Sequence, residues 1–184
     1  MHVSCCSTTS KTAVFLDVDG VLNCHSTKDR IPGRPKMIGI DSSKVEILKK
    51  IVKAVNGEII LISTWKINWL DPADPDGRYL DQKLEEQGLK IIAATEDSQT
   101  DRGTGIRNYI DAHPEYGQVL ILDDETDGYQ EKRLMKYLVQ TGWFDRGNGA
   151  GLQPKHIRLA ARIVKQQLQK KLMSITRHLS SKPL

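Results

Sequence analysis

Four short apolar runs punctuate the first two thirds of the chain, at residues 13–16, 58–62, 89–93 and 118–122. Each has the length of a strand and is rich in Val, Ile or Leu. Because they do not alternate with polar positions, they suit strands buried on both faces of a parallel sheet. Segments of helical period lie between them. Residues 41–56 open on the N-cap candidate Asp41, carry Val45, Leu48, Ile51, Val52 and Val55 on one face, and stop before Gly57. Shorter helices are predicted at 78–87 before Gly88 and at 104–112 before Pro114, with a further one at 129–140. The alternation of strand and helix predicts an α/β fold with a doubly wound parallel sheet and right-handed crossovers. In such a sheet the ligand site lies beyond the carboxyl ends of the strands.

From Pro154 onward the spacing predicts one long helix, with Ile157, Ala161, Val164, Leu168, Leu172 and Ile175 on a core-facing stripe and bases on the other side. Packing on the sheet is the first reading of that stripe, and a dimer contact is the second. A chain of 184 residues, 39% hydrophobic, has the size of one domain with a buried core. The expected layout is therefore a single domain, its core at 12–153 and a basic C-terminal helix at 154–178. The ends, up to Ser10 and after Arg177, are expected to fray.

Composition narrows the class. No stretch is long enough to span a bilayer, and residues 1–11 are too polar for a signal peptide. Cys5, Cys6 and Cys24 have neither metal-ligand spacing nor the density of a disulfide scaffold, so a cytoplasmic location is expected. The net charge of +4 conceals an asymmetry: residues 146–184 hold nine bases and no acid, against eighteen bases and twenty-three acids before them. Such a tail either binds an anionic partner or forms a solvated helix face.

The sharpest chemical signal is VFLDVDGVLN at residues 14–23, where Asp17 and Asp19 leave the end of the first predicted strand. Alternate strand residues share a face, so both carboxylates can address one ligand. With an ordinary carboxylate pKa of about 3.9, Asp17 can serve as an ionised nucleophile at neutral pH and become an aspartyl-phosphate. Asp19 can then protonate the leaving oxygen and later deprotonate a water. A simple turn closing a strand is the bland alternative.

A second acidic cluster, ILDDETD at residues 121–127, follows the last apolar run. Unpaired carboxylates at a buried strand end are costly, and a hard cation offsets that cost. Magnesium prefers oxygen ligands, so Asp17, a main-chain carbonyl near Asp19, and Asp124 or Asp123 are the candidate ligands. Ser63 and Thr64 follow the second apolar run and offer hydroxyls to a phosphoryl oxygen. Arg102, just ahead of a predicted helix, offers positive charge, although a surface arginine is the commoner case.

This ordered set, Asp17-Val18-Asp19-Gly20, then Ser63, then a basic residue before a helix, then Asp123-Asp124, resembles the four motifs of the haloacid dehalogenase-like superfamily over residues 13–127. Within it, LDVDGVLN, ISTW and ILDDETD, followed by Gly151-Leu152, resemble the small domain associated with bacterial and phage RNA-repair proteins. The resemblance implies a Rossmann-like core and a magnesium-dependent phosphatase. It implies Asp17 as nucleophile, Asp19 as general acid/base, Ser63 as phosphoryl ligand with Thr64 as second choice, and Asp123 and Asp124 at the metal with Asp17 and Asp19. The basic role falls to Arg102 or Lys66, since the subgroup's Ser-Ser-Trp-Arg stands here as Ser63-Thr64-Trp65-Lys66.

Family enzymes often cover the site with an inserted cap. Here residues 23–40 have room only for a loop and 65–101 are largely taken by a helix and a strand, so a capless or minimally covered site is expected. An open site admits bulky phosphorylated substrates such as nucleic-acid ends. Lys28, Arg30, Arg34 and Lys36 in the loop 24–39 either steer an anion or are merely solvated. Trp65, Trp69 and Trp143 either pack on the core or stack on bases. The leading reading is a phosphomonoesterase with a phosphorylated substrate. The alternatives are a phosphate- or magnesium-responsive binding module and an RNA-repair component whose basic C-terminal helix docks nucleic acid. No membrane partner is expected, and the sequence leaves the oligomeric state open.

Overall fold

The computed structural model describes residues 11–96, 101–126, 128–147 and 149–180. Cys5, Cys6 and Asp127 lie outside them, as do the residues of the expected frayed ends apart from 178–180 at the end of the final helix. The elements run β1 (Lys11–Leu16), β2 (Arg30–Ile31), β3 (Arg34–Ile38), α1 (Ser42–Val55), β4 (Gly57–Leu61), α2 (Lys66–Trp69) and α3 (Pro75–Glu85). They continue with β5 (Ile91–Ala94), α4 (Arg102–Ala112), β6 (Tyr116–Asp123), a 3-10 turn at Met135–Tyr137, β7 (Leu138–Gln140) and α5 (Pro154–Ser180). The main sheet is parallel and five-stranded, in the order β5-β4-β1-β6-β7.

Strand β1 lies at the centre and explains why its sequence is apolar on both parities. Val14 and Leu16 enter one core with Val45, Leu48 and Ile51 of α1 and Ala160 and Val164 of α5. Ala13 and Phe15 enter the opposite core with Ile106 of α4 and Tyr129. Helices therefore cover both faces, and each fully buried Leu or Phe contributes roughly 1.5–3 kcal/mol. The caps of α1 fall where local chemistry places them: Asp41 accepts from the Ser43 N–H at 2.9 Å, and Asn56 closes the helix in the left-handed conformation.

Three expectations are corrected. Residues 129–140 are not a helix. Arg133 takes φ +57°, which no helix continues through, and Leu138 and Val139 alternate between the two cores as β7. Residues 24–39 are more than a loop, since Pro32 and Gly33 turn the chain between β2 and β3. The stripe predicted on α5 is also shifted. The helix packs through His156, Ala160, Ile163 and Val164, while Leu168 and Leu172 are exposed. Gln167 holds the backbone of Val119 with hydrogen bonds at 3.0 and 2.7 Å. The fourteen residues from Pro154 to Gln167 span about 21 Å, about the length of a six-residue strand, so beyond Gln167 the helix has outrun the sheet. Among the described residues no helix is long and apolar enough to cross a membrane.

Candidate active site

Strand register assembles the site. Leu16 pairs with Leu122 across β1 and β6, so the next residues, Asp17 and Asp123, emerge side by side at the carboxyl edge of the sheet. The Asp17 N–H donates to Leu122 O at 2.9 Å and keeps the two chain ends together. Leu16 also pairs with Leu61 of β4, which brings Ser63 to the other side of Asp17. This edge, between the central strand and the strand reached after the chain reverses direction, is the topological switch point where open α/β sheets bind ligands.

Arg102 completes the cluster from the first turn of α4. Its Nη1 lies 2.8 Å from Asp123 Oδ2 and 3.4 Å from Asp17 Oδ2. A cation at a helix N-terminus opposes the helix dipole, and Asp101 offsets this by capping the Thr104 N–H at 3.0 Å. The turn is locked in place because Gly103 lets it approach Gly128: a Cβ on Gly103 would lie 2.5 Å from Gly128 O. The loop after β6 is thereby fixed against α4, with Tyr129 buried beneath and its hydroxyl donating to Asp123 Oδ2.

The carboxylates are not equivalent. Asp123 is fully buried and has both oxygens engaged, Oδ1 by the Glu125 N–H at 2.9 Å and Oδ2 by Arg102 and Tyr129. Asp124 is half-buried, and among the described residues its carboxylate accepts only from its own backbone. One carboxylate oxygen from each of Asp17, Asp123 and Asp124 lies within 4.8 Å of the others. Burial, aided by Asp123, pushes Asp17 up to about 7 against the pull of Arg102 and the Ser63 hydroxyl. Burial, together with Asp123 and Glu125, pushes Asp124 up to about 6. Hard oxygen donors crowded until they resist ionisation fit a divalent cation such as magnesium, with Asp124 the carboxylate most free to turn toward it.

Asp19 stands apart from this cluster. Its Oδ2 accepts from Trp65 Nε1 at 2.9 Å and its Oδ1 from Asn23 Nδ2 at 2.8 Å. Of the expected metal residues, Asp19 alone has its carboxylate outside the three-carboxylate group. The loop that follows Asp19 is tightly held: Gly20 has φ +71°, its N–H donates to Asn23 Oδ1 at 3.2 Å, and its carbonyl accepts from Thr141 Oγ1 at 2.7 Å. A Cβ on Gly20 would sit 2.3 Å from the Asp124 carboxyl carbon, so the glycine is what lets Asp124 close over the loop.

Of the two hydroxyls, buried Ser63 bonds Asp17, whereas Thr64 is exposed. Lys66 is buried and reaches toward Thr95 Oγ1 at 3.5 Å, at the end of β5. Among the described residues, the cation paired with Asp17 and Asp123 is Arg102. In the hairpin, Arg34 pairs with buried Asp76 at 2.7 Å and Arg30 bonds the carbonyls of Thr27 and Asp29, while Lys28 and Lys36 are exposed. Trp65 and Trp69 pack against the core. Sequence reasoning missed Tyr129, Asn23 and Thr141, and the bond from Trp65 to Asp19. Only Asn23 carried a local signal, lying four residues after Asp19.

A family model described as the HAD domain in Swiss Army Knife RNA repair proteins matches residues 13–147. No curated protein matches the chain.

Proposed function

The chain belongs to the family of HAD domains in Swiss Army Knife RNA repair proteins, and from that premise we propose that it is a magnesium-dependent phosphomonoesterase with Asp17 as nucleophile. The observation that carries the reading is the placement of Asp17 beside Asp123 and Asp124, with Arg102 and Ser63 against the same carboxylate. Asp17 and Asp124 would hold the metal, with Asp123 behind them and a main-chain carbonyl near Asp19 completing the set. When bound, the ion supplies positive charge that keeps the carboxylates ionised and neutralises the phosphoryl group.

Asp17 attacks the phosphorus of a monoester, and the bond from phosphorus to the ester oxygen breaks. Asp19 gives its proton to the departing oxygen, which leaves an aspartyl-phosphate on Asp17. Asp19 then takes a proton from water, the resulting hydroxide attacks phosphorus, and inorganic phosphate departs with Asp17 restored. Ser63 donates to a phosphoryl oxygen, while Arg102 supplies charge at the developing transition state. Trp65 and Asn23 hold Asp19 so that it can serve both halves of the cycle.

The substrate is proposed to be bulky, in keeping with a phosphorylated polynucleotide end. The excursions on that side of the sheet are a two-stranded hairpin and the helices α2 and α3, and among the described residues none forms a separate cap domain, in keeping with access for a large molecule. The test is phosphate release from an aryl phosphate and from phosphorylated RNA and DNA ends, with magnesium or chelator, in the parent and in Asp17→Asn. Metal-dependent turnover that is lost in the variant supports the reading. Turnover by Asp17→Asn at the parental rate would remove Asp17 as nucleophile.

A further inference from the structure

We propose that the outward faces of α1 and α5 form a docking track for the phosphodiester backbone of a polynucleotide, leading toward the catalytic edge. On α1, Lys49, Lys50 and Lys53 are exposed. On α5, Lys155, Arg158, Arg162 and Lys165 are exposed, and that helix contains no acid along its whole length. Among the described residues none of these seven cations is in an ion pair; the single acid of α1 is Glu46. By contrast α3, with Asp76, Arg78, Asp81, Lys83 and Glu85, mixes both signs as an ordinary solvated helix does.

The two helices pack against each other on one face of the sheet, so their outward sides form one surface. Both start at the catalytic edge. The Asp41 N–H ahead of α1 donates to Leu22 O at 2.9 Å, and the Leu152 N–H ahead of α5 donates to Val21 O at 2.8 Å. Lys44 Nζ ties the two together at Ala150 O, 3.0 Å away. Both first turns therefore flank the segment that follows Asp19. An open cleft of about 530 Å³ is lined by Lys155, Arg158 and Arg162 at that end of α5.

The spacing fits a backbone. Lys155 to Lys165 spans about 15 Å of helix, over which one nucleic-acid strand at about 3.4 Å per charge presents four or five phosphates. A ladder of fixed cations spaced along a line favours a linear polyanion over a single small anion. The track rests on the proposed polynucleotide substrate only for its direction toward the site.

The experiment uses the full chain and a short fluorescein-labelled single-stranded RNA, with anisotropy followed across a salt series. Two variants are compared, Lys49→Gln/Lys50→Gln/Lys53→Gln and Arg158→Gln/Arg162→Gln, each checked for parental circular dichroism and for aryl phosphatase activity. The expected result is RNA affinity about tenfold weaker at low salt, with the log-log salt slope shallower by about 0.7 for each contact removed, and aryl phosphate turnover unchanged. Parental affinity and slope in both variants would overturn the track, whatever the phosphatase assay gives. Failure of the parent to bind RNA, with binding to phosphatidylserine vesicles instead, would also overturn it and assign the face to an anionic membrane. Loss of the phosphatase reading has a separate signature: no turnover on any ester while salt-dependent RNA binding and its loss in the variants persist.

Discussion

At the catalytic edge three carboxylates crowd around one guanidinium, two of them, Asp17 and Asp123, buried, whereas on the outward face of α1 and α5 seven cations project into solvent with no ion-pair partner among the described residues. Both regions are dense in charge, yet the physics differs. At the edge Asp17, Asp123 and Arg102 are held by named neighbours, and burial drives Asp17 and Asp124 toward the neutral form. On the helices water and salt screen each charge, and what remains is a long-range field. A charge count alone does not separate a reactive site from a docking surface; the neighbours of each charge do.

The largest break in that comparison comes from Arg102→Ala. It leaves Asp17 and Asp123 facing each other without their cation, and loss of one partner from a buried pair costs about 3–5 kcal/mol. Urea unfolding in the presence of chelator measures this. A loss comparable to that of a surface substitution would mean that the edge is solvated and that its carboxylates do not depend on Arg102.

The second break is in pH. Folding raises Asp17 from 3.8 to about 7, so between those values the folded chain holds a proton that the unfolded chain has released. Metal-free stability contributed by this group is therefore highest at the acidic end of the window and falls as pH rises through it. Asp124, raised from 3.8 to about 6, acts in the same direction over a narrower window. Thermal unfolding in chelator should show a lower midpoint at about pH 8 than at about pH 5, and added magnesium should raise the midpoint more at the higher pH, where its ligands are ionised. Equal stabilisation at both values would remove these carboxylates from the metal site.

A smaller effect is expected from Gly20→Ala. The left-handed backbone costs a non-glycine residue roughly 1–2 kcal/mol, and the new methyl displaces the Asp124 carboxylate it would otherwise overlap. Calorimetric titration should find weaker magnesium binding, with Asp17 and its partners on the far side of the cluster undisturbed. Unaltered magnesium affinity would mean that Asp124 is not a ligand.

These contrasts follow how much of the molecule was legible from sequence. Strands, the caps of α1 and the two acidic strand ends are local features: Asp41 and Asn56 act within a few residues, and strand burial is written in runs such as residues 118–122. The doubly wound sheet follows from their alternation. What stayed hidden depends on neighbours distant in sequence. Tyr129 and Arg102 meet at Asp123 only because Gly103 allows α4 to touch the loop after β6, and Trp65 finds Asp19 across 46 residues. Residues 129–140 misled because Tyr129, Leu134 and Leu138 are all buried, at spacings loosely helical, while the left-handed Arg133 that breaks the helix carries no sequence signature. The α5 stripe erred for a similar reason: periodicity reports a face but not where the sheet beneath it ends.

The smallest expected effect has the opposite sign, which makes it the sharpest test of the contrast. Lys49 and Lys53 lie one helical turn apart, as do Arg158 and Arg162, and like charges at that spacing destabilise a helix by about 0.2–0.5 kcal/mol. Neutralising Arg162, away from the ends of its helix, to Gln should therefore leave stability unchanged or raise it by a few tenths of a kcal/mol, with the gain fading as salt screens the repulsion. Removing a cation at the catalytic edge, by contrast, destabilises strongly and is far less sensitive to salt. Chemical unfolding at low and high salt distinguishes the two. If Arg162→Gln proved as destabilising as Arg102→Ala, the α5 cations would be structural partners of the fold, and the outward face would not be free to meet a polyanion.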